Sequence, residues 1–356
     1  MFRRKFDFYL LIPVIFLLGF SVATIASVSP ENLVSHLLYI AVAFVFFLIF
    51  SFLDLEILFP FSPIIYLSCL GFLILPFLLG TVTRGSVRWV PLGGYTLQPS
   101  ELVKPFLVLI SAWFWSKGEF SFQRLVRFLF LFLPPLALIF LQPDLGSTLV
   151  VLSIFAGAIL TSGIKVKQLL VLMVIGILLI PVSWFSLHDY QKMRVVHFIN
   201  PYSDPLGEGY NVIQAKIAVG SGGLFGRGFG RGTQSHLAFL PERHTDFVFA
   251  SLSEELGLVG SALVLLLYMM LFLKLLKIAS GSKQKNFFLL SLGMFFYLFF
   301  QTVVNIGMNI GLMPITGITL PLVSYGGSSL LTTMISLGIL ESVCRQGGDS
   351  GLVEIK

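Results

Sequence analysis

The chain has 356 residues, 56% of them hydrophobic and 11% charged, which argues against a soluble globule because large apolar surfaces would face water. Its net charge of +6 could suit nucleic acid. The bases, however, gather on one side once the apolar segments are threaded back and forth across a bilayer, so the excess reads as a topology signal. The two cysteines, Cys69 and Cys344, offer neither a disulfide framework nor metal-ligand spacing.

A membrane span needs about 20 mainly apolar residues, and the spacing of apolar runs predicts ten helices. Residues 8–28, 33–53, 61–80, 146–163, 168–187 and 287–313 contain no Asp, Glu, Lys or Arg, whereas 102–115, 125–141, 247–273 and 325–340 are short or interrupted. The opening MFRRK imitates a signal peptide. Its apolar run is longer than a usual signal core and a second run follows after SPEN, so it is read as an uncleaved first helix. With the N-terminus inside, Arg3, Arg4, Lys5, Lys117, Arg124, Arg127, Lys165, Lys167, Lys274, Lys277, Lys283, Lys285, Arg345 and Lys356 are cytoplasmic, while the short external loops hold Arg84 and Arg88. Both termini are then cytoplasmic. Residues 1–345 form one membrane domain, and 346–356 read as a flexible tail.

Two external segments are long enough to carry a site: 81–101, between the third and fourth helices, and 188–246, between the seventh and eighth. The fold class expected is therefore all-α, a polytopic membrane protein with a long extracytoplasmic loop. A structureless loop of that length is unusual unless functional or disordered. Within it, 209–219 reads as an amphipathic helix lying at the membrane interface. The glycine run over 220–232 fits no nucleotide-binding pattern; it suits close approach of the backbone to a ligand or a neighbouring helix.

Ionisable groups inside a membrane are costly, so each needs a reason. Glu101 and Lys104 are three apart and can pair, either as a helix-start ion pair with Ser100 as N-cap or as a charged patch in a hydrated cavity. Asp144 either stabilises the start of the sixth helix or meets substrate. Arg194, Lys216, Arg227, Arg231 and Arg243 give the long loop an anion-binding character suited to pyrophosphate, or are simply solvated. Asp246 follows Arg243 and His244 at the membrane boundary, where it serves either as a helix-start acid or as a half-shielded base for a sugar hydroxyl. Glu254 and Glu255 point about 100° apart, so they cannot share one partner. Gln301, Asn305 and Asn309, four apart, form a polar stripe that more often bonds helices together than binds substrate.

The stretches RGSVRWVPLGGYTLQPSELVK, QPDLGS, FINPYSDPLGEGYNVIQAKIAVGSGG, FLPERHTDFVF, EELGLVG and LPLVSYGGSS resemble, in order, the shape, elongation, division and sporulation family of peptidoglycan polymerases, and its elongation branch more than its division branch. The resemblance implies a ten-helix fold in the bacterial cytoplasmic membrane. It also implies polymerisation of lipid II into glycan strands at the outer face, beside a class B penicillin-binding protein. It gives Asp246 as the essential acid and Trp89 as a functionally important tryptophan, and it puts Glu101, Lys104 and Asp144 around a central cavity. Arg88, Arg194, Lys216, Arg243 and His244 complete the substrate-binding set. Asp246 could act as general base or help to hold a divalent cation, Mg²⁺ or Mn²⁺; no nucleotide or organic cofactor and no nucleic-acid partner are expected. A lipid II flippase and a non-catalytic scaffold that activates the penicillin-binding protein remain rival readings.

Overall fold

The computed structural model describes residues 6–83, 86–93, 95–186, 189–205, 207–237 and 239–346. Expectations placed on Arg3, Arg4, Lys5, Arg84, Lys356 and the tail from 347 onward fall outside them. Twelve helices of more than ten residues occur among the described residues. They are α1 Phe8–Val28, α2 Leu33–Ser51, α3 Ser62–Leu79, α4 Lys104–Ser116, α5 Phe122–Leu141, α6 Leu145–Thr161, α7 Val166–Ser186, α8 Asp189–Ile199, α9 Glu208–Ser221, α10 Val248–Ser280, α11 Lys285–Asn309 and α12 Gly327–Gln346. All but α8 and α9 coincide with the ten anticipated spans.

Seven helices among the described residues are long and apolar enough to cross a bilayer by length and composition: α1, α2, α3, α5, α10, α11 and α12. Helices α6 and α7 supply shorter apolar stretches. Helix α4 has only 13 residues, and Leu107, Val108, Leu109, Ile110, Ser111 and Ala112 are all buried in succession. A helix apolar all round belongs inside a bundle. The most enclosed helix is α12, with 83% of its apolar window buried against 17% for α2, so the core lies around α12 and the rim at α2.

Three local expectations change. The all-α expectation meets one exception in the segment 81–101, where β1 Thr81–Thr83, β2 Ser86–Leu92 and β3 Tyr95–Leu97 form a small antiparallel sheet, with Trp89 opposite Thr81 and Val90 opposite Leu97. Ser100 is not an N-cap. Pro99–Leu102 forms a separate turn, and α4 restarts at Lys104 with Pro105 in its first turn, where a missing N–H costs no helical bond. Helix α12 begins two residues later than expected and runs on to Gln346, because the Tyr325 N–H is drawn to the carbonyl of His244 at 2.8 Å.

The long loop folds over the bundle. The apolar face of α9, through Ala215 and Ala218, packs on Leu240, Phe247 and Ala250, so the helix anticipated at the membrane interface covers protein instead. The glycine run closes on a break in α10, where Gly257 has φ 66° and ψ −162°. The freed main-chain groups pair with the loop: Arg227 N–H to Glu254 O at 2.9 Å, Gly228 N–H to Glu255 O at 3.0 Å, Leu258 N–H to Gly223 O at 2.9 Å and Val259 N–H to Leu224 O at 3.1 Å. Irregular backbone at membrane depth is tolerated only when protein satisfies it in this way.

The two adjacent carboxylates hold the same loop. Glu254 accepts the N–H groups of Gln234 at 2.8 Å and Ser235 at 3.0 Å. Glu255 accepts from Ser27 and lies 2.9 Å from His236 Nε2. Their divergent directions, expected from adjacent helical positions, let one helix hold successive residues 234–236 of the loop and, through Glu255, the end of α1.

Candidate active site

The approach to α10 is a tight turn over residues 242–247. Glu242 takes φ 49°, and its carbonyl accepts from Thr245 N–H at 3.1 Å and Phe247 N–H at 3.2 Å. Arg243 O accepts from Ser251 Oγ of α10 at 3.1 Å, and the next three carbonyls are held from other elements. His244 O accepts from Tyr325 N–H, Thr245 O from Ser324 Oγ at 2.6 Å, and Asp246 O from Asn305 Nδ2 and Asn309 Nδ2, both at 3.0 Å. Asn305 Nδ2 also reaches Ile318 O at 2.7 Å, and Gln301 Nε2 reaches Thr319 O at 3.1 Å. The polar stripe of α11 therefore fixes two loops to each other. Its donors go to loop carbonyls rather than to a neighbouring helix, with only Asn309 Oδ1 reaching the first turn of α10, and in this way the stripe positions the acid.

The turn faces a cavity of about 360 Å³ whose wall includes Arg88, Trp89, Gln98, Glu101, Glu242, His244, Asp246, Tyr325 and Ser328. Asp246 reaches it beside Gly317, which has φ 73°; a methyl group there would come within 3.6 Å of Asp246 Oδ2. His244 packs edge-on to Tyr325, with ring centroids 5.5 Å apart. The small sheet contributes Arg88 and Trp89, and the turn before α4 contributes Gln98 and Glu101.

Two expected residues stand behind this wall. Lys104 is 1% exposed and pairs with Glu101 Oε1 at 2.5 Å, so it neutralises a cavity acid from below. Asp144 is 3% exposed and takes the first of the two roles anticipated for it, at the start of α6, while also holding residues of the cavity wall. Its Oδ1 accepts Ser147 N–H at the start of α6 at 3.0 Å and lies 3.7 Å from Arg88 Nη1. Its Oδ2 accepts from Gln98 Nε2 at 2.6 Å and Ser100 Oγ at 3.2 Å. Asp144 thus orients two cavity residues.

The loop bases are placed elsewhere. Arg243 Nε donates to Val28 O at 3.1 Å, tying the turn to the end of α1. Arg194 donates to Ile315 O at 3.4 Å, the Lys216 stem packs on Gly311, and Arg227 donates to Ser221 Oγ at 3.1 Å and Thr233 Oγ1 at 3.2 Å. None of these is in the cavity wall among the described residues. Conversely, sequence reasoning missed Glu242, Gln98, Tyr325 and Ser328. All four lie within the quoted stretches FLPERHTDFVF, QPSELVK and LPLVSYGGSS; Glu242, Gln98 and Tyr325 sit outside the long helices, where no periodic signal exists, and Ser328 is in the first turn of α12.

No three His, Cys, Asp or Glu side chains converge to hold a metal ion among the described residues. Mg²⁺ commonly keeps waters and takes one or two carboxylates with substrate phosphates; Asp246 and Glu242 share the cavity wall and would be the side chains to hold such an ion.

Fold and site define a polytopic helical membrane protein with an acid-lined cavity at one end of its bundle. The chain belongs to the FtsW/RodA/SpoVE family, described as cell cycle proteins, whose model matches residues 2–348. It is 42% identical over 285 residues to the peptidoglycan glycosyltransferase MrdB of Escherichia coli K12, covering 79% of this chain and 77% of that one. It is 36% identical over 293 residues to stage V sporulation protein E of Bacillus subtilis, covering 80% and 79%. Among solved structures it is similar to a chain of a peptidoglycan synthase complex that coordinates polymerization and crosslinking, at TM-score 0.83 and 34% identity over 96% of this chain and 98% of that one. The rod shape determining protein RodA of Thermus thermophilus matches at TM-score 0.73 and 30% identity over 98% and 99%. The family resemblance read from the motifs holds along the chain.

Proposed function

We propose that this chain is an inverting peptidoglycan glycosyltransferase that polymerises lipid II at the outer face of the bacterial cytoplasmic membrane, for elongation and rod shape. The observation that carries this reading is the Asp246 carboxylate, presented to an open cavity by a turn whose carbonyls are bonded to α11 and to the segment before α12. The names of the relatives support the same activity.

In the reaction, the 4-hydroxyl oxygen of the acceptor's terminal N-acetylglucosamine forms a bond to the anomeric carbon of the donor N-acetylmuramic acid. The bond from that carbon to the lipid pyrophosphate breaks, and the electron pair leaves with the pyrophosphate. Asp246 takes the hydroxyl proton as general base. Arg88, the guanidinium in the cavity wall, stabilises the departing charge in place of the loop arginines. Its orientation by Asp144 limits the reorganisation needed as charge develops. A divalent cation would be held by Asp246 together with pyrophosphate oxygens and water, and would supply further neutralisation there.

The partner is a bitopic class B penicillin-binding protein that crosslinks the nascent strands, a reading supported by the synthase complex to which this chain is similar. The direct test is purified protein in liposomes with lipid II. The parent should make glycan chains. Asp246→Asn, which keeps shape, should lose about 10²- to 10⁴-fold in rate with its thermal unfolding unchanged. An Asp246→Asn protein that polymerises at the parental rate would return the flippase and scaffold readings.

A further inference from the structure

At the end of the bundle opposite the cavity, α4 finishes at Ser116 and α5 begins at Phe122, and the connection borders a pocket of about 420 Å³. Lys117, Arg124 and Arg127 line it against Glu119. Arg124 is committed to the fold: its Nη2 donates to Phe114 O at 2.6 Å, and its guanidinium lies 5.3 Å from the Phe114 ring centroid. Lys117 and Arg127 are exposed, with Lys117 Nζ 3.8 Å from the centre of the Trp113 ring. A cation-bearing aromatic at this level marks a membrane boundary. The positive-inside bias accounts for the sign of these side chains but not for their gathering around one concavity.

The pocket also continues into the bilayer. At about 100° per residue, Gln123, Arg127, Phe130 and Pro134 fall within roughly 40° of one line along α5, and all four are exposed. Phe130 is 70% exposed. A polar, cationic end thus runs without interruption into an apolar stripe. A soluble anion would use only the first part; a molecule with an anionic head and acyl tails would cover both. Basic pockets between helices near a membrane surface bind anionic headgroups by this combination.

We propose that this pocket binds the phosphodiester headgroup of an anionic glycerophospholipid in the leaflet opposite the active site, with its acyl chains along Phe130. Lys117 and Arg127 contact the phosphate, while Arg124 shapes the pocket.

The test is lipid retention by the full chain, read by native mass spectrometry after titration with phosphatidylglycerol or phosphatidylcholine. The parent should prefer phosphatidylglycerol. At the usual contribution of one surface base, removing two in Lys117→Gln/Arg127→Gln should weaken that binding roughly 30-fold. Lys277→Gln/Lys283→Gln removes the same charge from exposed positions outside the pocket and should bind like the parent. Equal retention of the two lipids, undiminished binding by the first variant, or an equal loss in the second would overturn the site. Displacement of phosphatidylglycerol by millimolar inorganic phosphate would identify a soluble-anion site instead and overturn the lipid assignment.

Discussion

Asn309 bridges Asp246 to the first turn of α10: its Nδ2 donates to the Asp246 carbonyl at 3.0 Å, and its Oδ1 accepts the N–H of Ala250 at 3.0 Å. The second bond satisfies one of the first N–H groups of α10, which have no partner within the helix. A side chain fully buried in α11 thereby fixes both the start of a helix and the acid just before it.

Asn309→Ala should therefore combine a stability loss with a catalytic one. Leaving the buried Ala250 N–H unpaired costs about 1–3 kcal/mol, and the Asp246 turn loses one of two amide donors. Turnover in the lipid II assay should fall while the apparent KM changes little, since the amide acts through the position of Asp246. A variant with parental turnover and a lowered melting temperature would reduce Asn309 to a helix-capping residue.

The Glu101 and Lys104 pair can be tested by a double-mutant cycle. Lys104→Met alone strands a carboxylate beside a buried position, and breaking a buried pair in this way costs about 3–5 kcal/mol. Glu101→Gln/Lys104→Met leaves no buried charge and should recover most of that loss, as measured by thermal unfolding in detergent. Equal stability of the single and double variants would mean that water already solvates Glu101. Recovery of stability without recovery of polymerisation would assign Glu101 a role at the substrate.

These residues show what a sequence discloses. Ten helices were legible because spans are set by continuous apolar length, and Asp246, Glu101 and Lys104 because charge at membrane depth needs a reason. The placement of the loop bases was not legible. Arg243 reaches a carbonyl on α1, 215 residues away in sequence, and no local pattern encodes that partner. Trp89 was reachable only by resemblance, since its three-stranded sheet has strands of three to seven residues, too short for period-two alternation to stand out. Nor does the sequence show that Asp144 both caps α6 and orients Arg88, two contacts that share its Oδ1, while Oδ2 is left to Gln98 and Ser100.

The orientation of the chain rests on its bases, and labelling can check it. Glu31 is exposed between α1 and α2 at the cavity end, and Lys283 is exposed between α10 and α11 at the other. In a background with Cys69 and Cys344 replaced, Glu31→Cys should react with a membrane-impermeant maleimide on intact spheroplasts, and Lys283→Cys only after lysis. The reverse pattern would put the cavity on the cytoplasmic face, where the proposed glycan product could not reach the wall.

The break in α10 yields the sharpest structural prediction. At φ 66° and ψ −162°, Gly257 occupies backbone space open essentially to glycine alone, and a methyl group there would lie 2.2 Å from the Gly226 nitrogen. Gly257→Ala must strain the backbone or straighten α10. Straightening would re-form helical bonds across the break and release the loop from Glu254 O, Glu255 O and the N–H groups of Leu258 and Val259. Strain at such a residue costs about 1–3 kcal/mol, and the loop's anchorage goes with it, so the variant should unfold at lower temperature and become sensitive to protease within residues 223–232. Turnover should fall as well, because the same loop leads into the Glu242 to Asp246 turn. Gly220→Ala is the control: nothing lies within 4 Å of the added carbon, and it should behave like the parent. If Gly257→Ala stays as stable and as protease-resistant as Gly220→Ala, the loop is not held by the break, and the account of how the loop is anchored to α10 fails.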